Sequence, residues 1–298
     1  MKQTLKDLTR KSVFLSMMLL ACSGIFAKSK TKWAVNPELP MSVRMCQSEI
    51  IRNPEGWMLD FSTKLKWNYC HGLECQAFLD VYDRYGGDYL YKYVKQFADT
   101  MINENGRIYG YKKTNYNLDH VNSGKILFRL YEREKDPRYK IAMDTLRAQL
   151  ASQPRTSDGG FWHKKIYPYQ MWLDGIYMGS PFYAQYAATF NEPEDFADVV
   201  SQFLIIAKHT YDKKTGLYRH AWDEIKALPW SDLKTGQAPH VWGRALGWYM
   251  MAIVDALDFI PENQPGRDKM ILILNDLVKI LPKYQDQRTG AWYQVVDM

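Results

Sequence analysis

Along most of the chain the apolar residues recur at the spacing of an α-helix. Between residues 194 and 212, Phe196, Val199, Val200, Phe203, Leu204 and Ala207 fall on one stripe of an amphipathic helix. Between residues 241 and 260 the same spacing runs through Ala245, Leu246, Tyr249, Met250, Ile253 and Leu257. Strand-like alternation is short and confined to the neighbourhood of turns. Four of those turns resemble one another: "NGRIYGY" from Asn105, "DGGFWHK" from Asp158, "TGLYRHAW" from Thr215 and "TGAWYQV" from Thr289. Each is a polar-glycine turn followed by aromatic and basic or amide residues, as suits a short β-like lip. They lie 53, 57 and 74 residues apart, about two helices and their loops per unit, which predicts stacked helical hairpins.

Such hairpins close into a toroid when their lips converge on one mouth. About nine helices are expected between residues 41 and 283. A six-hairpin toroid needs twelve, so the sequence is expected to be incomplete after Met298, within a single domain spanning residues 28–298.

The first residues read as an address. A basic stretch ending at Arg10-Lys11 precedes the apolar "SVFLSMMLLACSGIFA", the layout of a secretory signal, with cleavage expected after Ala27. "LLAC" also resembles a bacterial lipoprotein box, with Cys22 as the lipidated residue. The expected location is therefore the periplasm or the outer membrane of a Gram-negative bacterium, with membrane contact only through that anchor. Residues 1–32 hold seven basic residues against Asp7, which accounts for the whole formal charge of +6. The remainder is formally neutral and carries no nucleic-acid footprint. Cys46, Cys70 and Cys75 lack a second pair at zinc-ligand spacing and are expected as buried thiols, although an exported chain could pair two of them.

Candidate chemistry centres on Asp174, the one charged residue in "PYQMWLDGIYMGSPFYAQY". An ionised carboxylate among apolar groups is costly unless it is paired, hydrogen-bonded or functional. Ser180 reads as an N-cap with Pro181 at the first helical position, which places Asp174 in the loop before a helix. Asp119 likewise precedes an apolar helical run, where it serves equally well as an N-cap. Together the two carboxylates, one hairpin unit apart, fit adjacent points on a rim and are the equipment of acid–base glycoside chemistry. His163 and His220 follow two of the glycine turns, and either alone also fits a packing role. Arg244 and Trp248 are four residues apart on one helix face, with Trp242 just before them. A guanidinium beside indoles suits an acidic sugar, and it equally suits a buried aromatic cluster. Six of the ten tryptophans fall between Trp162 and Trp248, which favours a lined cleft or an aromatic core.

In their order and spacing, "MWLDGIYMG", "GLYRHAWDE" and "WGRALGWY" resemble the unsaturated rhamnogalacturonyl hydrolases of glycoside hydrolase family 105, related to the unsaturated glucuronyl hydrolases of family 88. The resemblance runs from about residue 45 to 298. It implies an (α/α)6 barrel and an oligosaccharide substrate made by polysaccharide lyases, whose non-reducing uronic acid carries a 4,5 double bond. It further implies that Asp174 protonates C4 and helps deliver water to C5, while Asp119 binds the sugar and tunes Asp174. His163, His220, Trp242, Arg244 and Trp248 would line the substrate pocket. No metal, cofactor, covalent intermediate or stable protein partner is implied. Three readings remain beside it: an inverting glycosidase on intact polysaccharide, a non-catalytic sugar-binding protein on the same fold, and an open helical-repeat interaction protein.

Overall fold

The computed structural model describes residues 35–298. The expected export signal at residues 1–27, with Cys22, lies outside the described residues. The chain divides into a unit ending at Arg52 and a unit from Asn53 to Met298. In the first, helix α1 (Met41–Arg52) buries Val43 and Cys46, and Arg52 pairs with Glu49 one turn earlier.

The second unit is built from helix pairs: α2 (Tyr69–Tyr85) with α3 (Asp88–Met101), α5 (Lys125–Glu134) with α6 (Pro137–Ala151), α7 (Leu173–Phe190) with α8 (Asp195–Thr210), and α9 (Gly243–Leu257) with α10 (Arg267–Ile280). A single helical turn, α4 (Asp119–Asn122), precedes α5. Among the described residues, nine helices reach ten residues, as the periodicity predicts. The first helix of each pair packs on the first helix of the next, α2 on α5, α5 on α7 and α7 on α9, while α10 lies against α8. Local chemistry sets the boundaries. Asp136 caps α6 by accepting from the Arg138 amide with Pro137 at the first position, and Gly86, at φ +76°, ends α2.

The stripe expected on α8 is buried at Phe196, Val199, Val200, Phe203 and Ala207, with Leu204 half-buried. Its companion on α9 is buried at Ala245, Leu246, Tyr249 and Ile253, while Met250 and Leu257 are half-buried at its edge. Tyr249 ties the two helices by donating to Phe203 O at 2.9 Å. Cys46 and Cys75 are buried free thiols, but Cys70, near the start of α2, is only half-buried. No helix among the described residues is long and apolar enough to cross a membrane.

The expected start of α7 needs correction. Ser180 and Pro181 do not open the helix; it begins at Leu173, and Pro181 sits in its interior. A proline there removes one backbone hydrogen bond and is costly, yet every residue from Leu173 to Ala184 is buried. Burial of the whole segment outweighs the local start signal. Asp174 therefore lies in the first helical turn, not in a preceding loop.

The lips are present, and those at Thr215 and Thr289 share a device with a further turn at Asp232. Asp212, Asp232 and Asp286 each begin an Asp-x-x-Thr-Gly turn in which the glycine amide donates back to the aspartate carbonyl, at 2.8, 2.7 and 2.8 Å. Each side chain also accepts from the residue two positions on, and each glycine has positive φ. Short antiparallel pairs follow. β2 (Tyr211–Asp212) pairs with β3 (Leu217–Tyr218), and β1 (Gln170–Trp172) pairs with β4 (Ala221–Asp223). The turn at Asp232 escaped the sequence reading because its glycine is followed by Gln237 rather than an aromatic.

Candidate active site

β1 delivers the chain into α7. It pairs Trp172 with Ala221, and the next amide, Leu173 N–H, donates to His220 O at 3.0 Å. The helix thus starts on a lip carbonyl instead of a side-chain cap. The same floor carries Asp119. Leu118 N–H donates to His163 O at 3.2 Å, and His163 N–H donates to Gln170 O, where β1 begins, at 2.9 Å. Through this ladder α4, the 158–164 lip, β1 and the 220 lip are fixed to one another, and α4 packs directly on α7.

The two carboxylates sit in different surroundings. Asp119 is buried, with Oδ2 2.5 Å from Lys164 Nζ and Oδ1 3.5 Å from His163 Nε2. Asp174 is 6% exposed, and its Oδ2 has no hydrogen-bond partner. Its nearest cation is Arg244, with Nη2 3.8 Å from Oδ1, too far for a hydrogen bond. Burial raises the Asp174 carboxyl to about 6, against the opposing pull of Arg244 and its own helix-terminal amide; Asp119 adds a smaller upward push. One acid is held by a lysine, and the other is desolvated and poised.

Aromatic rings wall this pair. Trp172 stacks on the His163 ring at 5.1 Å and on Tyr167 at 5.3 Å. His220 meets Trp172 and Trp242 edge-on, at 6.3 and 6.1 Å. The Arg244 guanidinium lies 4.2 Å above Trp242. Arg244 and Trp248, expected on one face of α9, both reach Tyr69 at the start of α2: Arg244 Nη1 is 3.5 Å from the phenol oxygen, and Trp248 meets the ring edge-on.

Of the five residues expected to hold substrate, Arg244, Trp242 and His220 are at least partly exposed. His163 and Trp248 are not. His163 is 3% exposed beneath Trp172, and burial lowers its pKa to about 4, so its ring is neutral near pH 7. It packs against the backbone of α7 where a side chain at Gly175 would come within 2.8 Å of its Nδ1. Trp248 is enclosed by Tyr177, at 4.6 Å, and by Tyr69. Their rings contact these neighbouring groups. Lys164, Trp172 and Tyr69 were missed. Lys164 follows a histidine and precedes another lysine, a local pattern that reads as solvated surface, and only the ladder through β1 brings it to Asp119. Among the described residues, no group of three or more His, Cys, Asp or Glu could hold a metal ion.

Comparisons with known proteins identify the family of the chain. Residues 41–298 match the profile of Glycosyl Hydrolase Family 88. A solved glycoside hydrolase from family 105, of C. acetobutylicum ATCC 824, is 42% identical with a TM-score of 0.81, covering 87% of this chain and 70% of that one. An unsaturated rhamnogalacturonyl hydrolase of Bacillus subtilis (strain 168) is 24% identical over 243 residues, 80% of this chain and 66% of that protein. Protein Atu3128 of Agrobacterium fabrum is 34% identical over 120 residues, 40% of this chain and 50% of that protein, so the match spans half the length of that relative. The helical hairpins are those of an (α/α)6 barrel. The chain belongs to Glycosyl Hydrolase Family 88, together with the glycoside hydrolases of family 105.

Proposed function

We propose that this protein removes a 4,5-unsaturated uronic acid from the non-reducing end of lyase-generated, pectin-derived oligosaccharides. The observation that carries the reading is Asp174: a buried carboxyl with one unpartnered oxygen and a pKa of about 6, beside a half-exposed arginine. A general acid works best when its pKa lies near the working pH. The unsaturated uronate is a vinyl ether, so it needs a proton at C4 and a water at C5. Asp174 gives the proton to C4, and the ring oxygen stabilises the cation left at C5. The resulting carboxylate then takes a proton from the water that adds there. The hemiketal so formed opens to a ketone by breaking its bond from C5 to the ring oxygen. That oxygen stays on C1 as the hydroxyl of a hemiacetal, and the hemiacetal becomes an aldehyde as it expels the neighbouring sugar. Overall one water is consumed and Asp174 returns to its protonated form.

Arg244 is placed to bind the uronate carboxylate, with Trp242 under its guanidinium. Asp119, neutralised by Lys164, is placed to hold sugar hydroxyls. Identity to an unsaturated rhamnogalacturonyl hydrolase supports rhamnogalacturonan fragments as the substrates. Export, expected from residues 1–27, would put the enzyme where lyase products arise. The test is the ultraviolet absorbance of the unsaturated uronate, followed on lyase-treated and on saturated oligosaccharides. Loss of absorbance on the first, with no cleavage of the second, is expected. Cleavage of saturated chains would replace the reading with an ordinary glycosidase.

A further inference from the structure

Between β4 and Gly236 the chain makes a loop, residues 224–235, whose ends are joined: Asp223 N–H donates to Gly236 O at 2.9 Å. Ile225 and Leu233 on this loop are exposed. The loop is nevertheless wound on a fully buried carboxylate. Asp223 accepts from the amides of Ile225, Ala227 and Leu228, at 3.2, 2.8 and 3.1 Å, and from Ser231 Oγ at 3.1 Å. Four donors on one side chain fix the backbone on both sides of Trp230. The result is a half-buried indole with its centroid 6.3 Å from the His220 ring. His220 in turn meets Trp242 edge-on, and Arg244 lies over the Trp242 ring. From Arg244 the rings follow one another in contact as Trp242, His220 and Trp230.

We infer that Trp230 is a specificity-determining residue that packs against the sugar attached to the unsaturated uronate, and that Asp223 is the positioning residue that presents it. The inference rests on the proposed reaction. The charged uronate ring belongs beside Asp174 and Arg244, so the next sugar along the substrate meets the next rings along the wall. A flat indole recognises the apolar face of a pyranose without demanding charge, which suits a neutral leaving sugar. A loop whose function was only to close the chain would not need a buried carboxylate with four partners to hold one aromatic ring.

The experiment compares two substrates on the full-length protein: a lyase-derived disaccharide and the methyl glycoside of the same unsaturated uronate. In Trp230→Ala, kcat/KM on the disaccharide should fall about tenfold more than on the methyl glycoside, with the loss carried by KM. Trp230→Phe should restore most of it. Asp223→Asn should lose the same discrimination, and combining it with Trp230→Ala should add little further loss. Equal losses on the two substrates, or none on either, would overturn the inference while leaving the reaction standing. A wild-type protein that consumes neither substrate overturns the reaction, and the inference with it.

Discussion

The Arg244 guanidinium stands 3.8 Å from the Asp174 carboxylate without closing a hydrogen bond on it. A bidentate pair would have fixed Asp174 as an anion and removed its use as an acid. At this distance the arginine lowers the carboxyl only partly, and burial still leaves it at about 6. The cation is left free to engage an incoming carboxylate.

The first expectation concerns pH. If Asp174 must be protonated to act, kcat/KM should decline as pH rises through about 6. Arg244 opposes the upward shift, so Arg244→Gln should move that limb to higher pH even as KM rises. A pH–rate profile of both proteins measures this. A limb that stays in place, or moves down, would mean that the titrating group is not Asp174.

Asp174→Asn should lower turnover by well over a hundredfold, because the amide keeps the shape but donates no catalytic proton. The same substitution should stabilise the fold. A carboxyl raised from 3.8 to about 6 favours the folded state only while it is protonated, and that contribution is lost as pH rises through 6. The penalty above pH 6 is about 3 kcal/mol. Melting curves should therefore show the variant above wild type at pH 8, with the gap closing near pH 4. A variant less stable than wild type at pH 8 would refute the burial argument.

Lys164 and Asp119 form a second, separable pair. Lys164→Met leaves a buried carboxylate without its cation and should cost about 2 kcal/mol, discounted from the ~3–5 kcal/mol of a fully buried pair because Lys164 is one-fifth exposed. Adding Asp119→Asn should recover most of that loss, since neither charge then remains. Denaturant unfolding of the four proteins in the cycle gives the coupling directly. Additive costs would show that the two side chains do not support one another.

Local pattern and composition carried part of this picture. The stripe on α8 reported its buried face because one repeated spacing decides it, and the glycine turns reported the lips because positive φ is a local demand. Asp174 stood out as a lone charge in an apolar run, and it is indeed a desolvated group. The partners of these residues were not legible. Lys164 meets Asp119 across 45 residues of chain, through a three-residue strand whose pairing no periodicity reveals. Ser180-Pro181 gave a genuine start signal that tertiary burial overrode. His163 read as a pocket residue because it follows a glycine turn and matches a pocket position of the family it resembles; in the fold Trp172 and the α7 backbone cover it.

The repeated turns supply the last prediction, because two of them differ only in what surrounds the glycine. Gly236 and Gly290 have nearly the same backbone, φ +77° and +69°, after the same Asp-x-x-Thr sequence. A Cβ at Gly290 would find nothing nearer than Gln285 Nε2, at 3.9 Å. Gly290→Ala should therefore cost only the left-handed strain of a non-glycine residue, about 1–2 kcal/mol. A Cβ at Gly236 would lie 2.2 Å from the Asp223 carbonyl oxygen and 3.0 Å from the Trp222 indole. These are backbone and a packed ring, which cannot swing aside without breaking the pairing of β4 with β1. Gly236→Ala should cost at least twice as much as Gly290→Ala in urea unfolding, and it alone should reduce turnover, since β4 leads back to His220 and the start of α7. Equal costs at the two glycines would mean that the 224–235 loop yields freely and that β4 is not held as rigidly as its hydrogen bonds require.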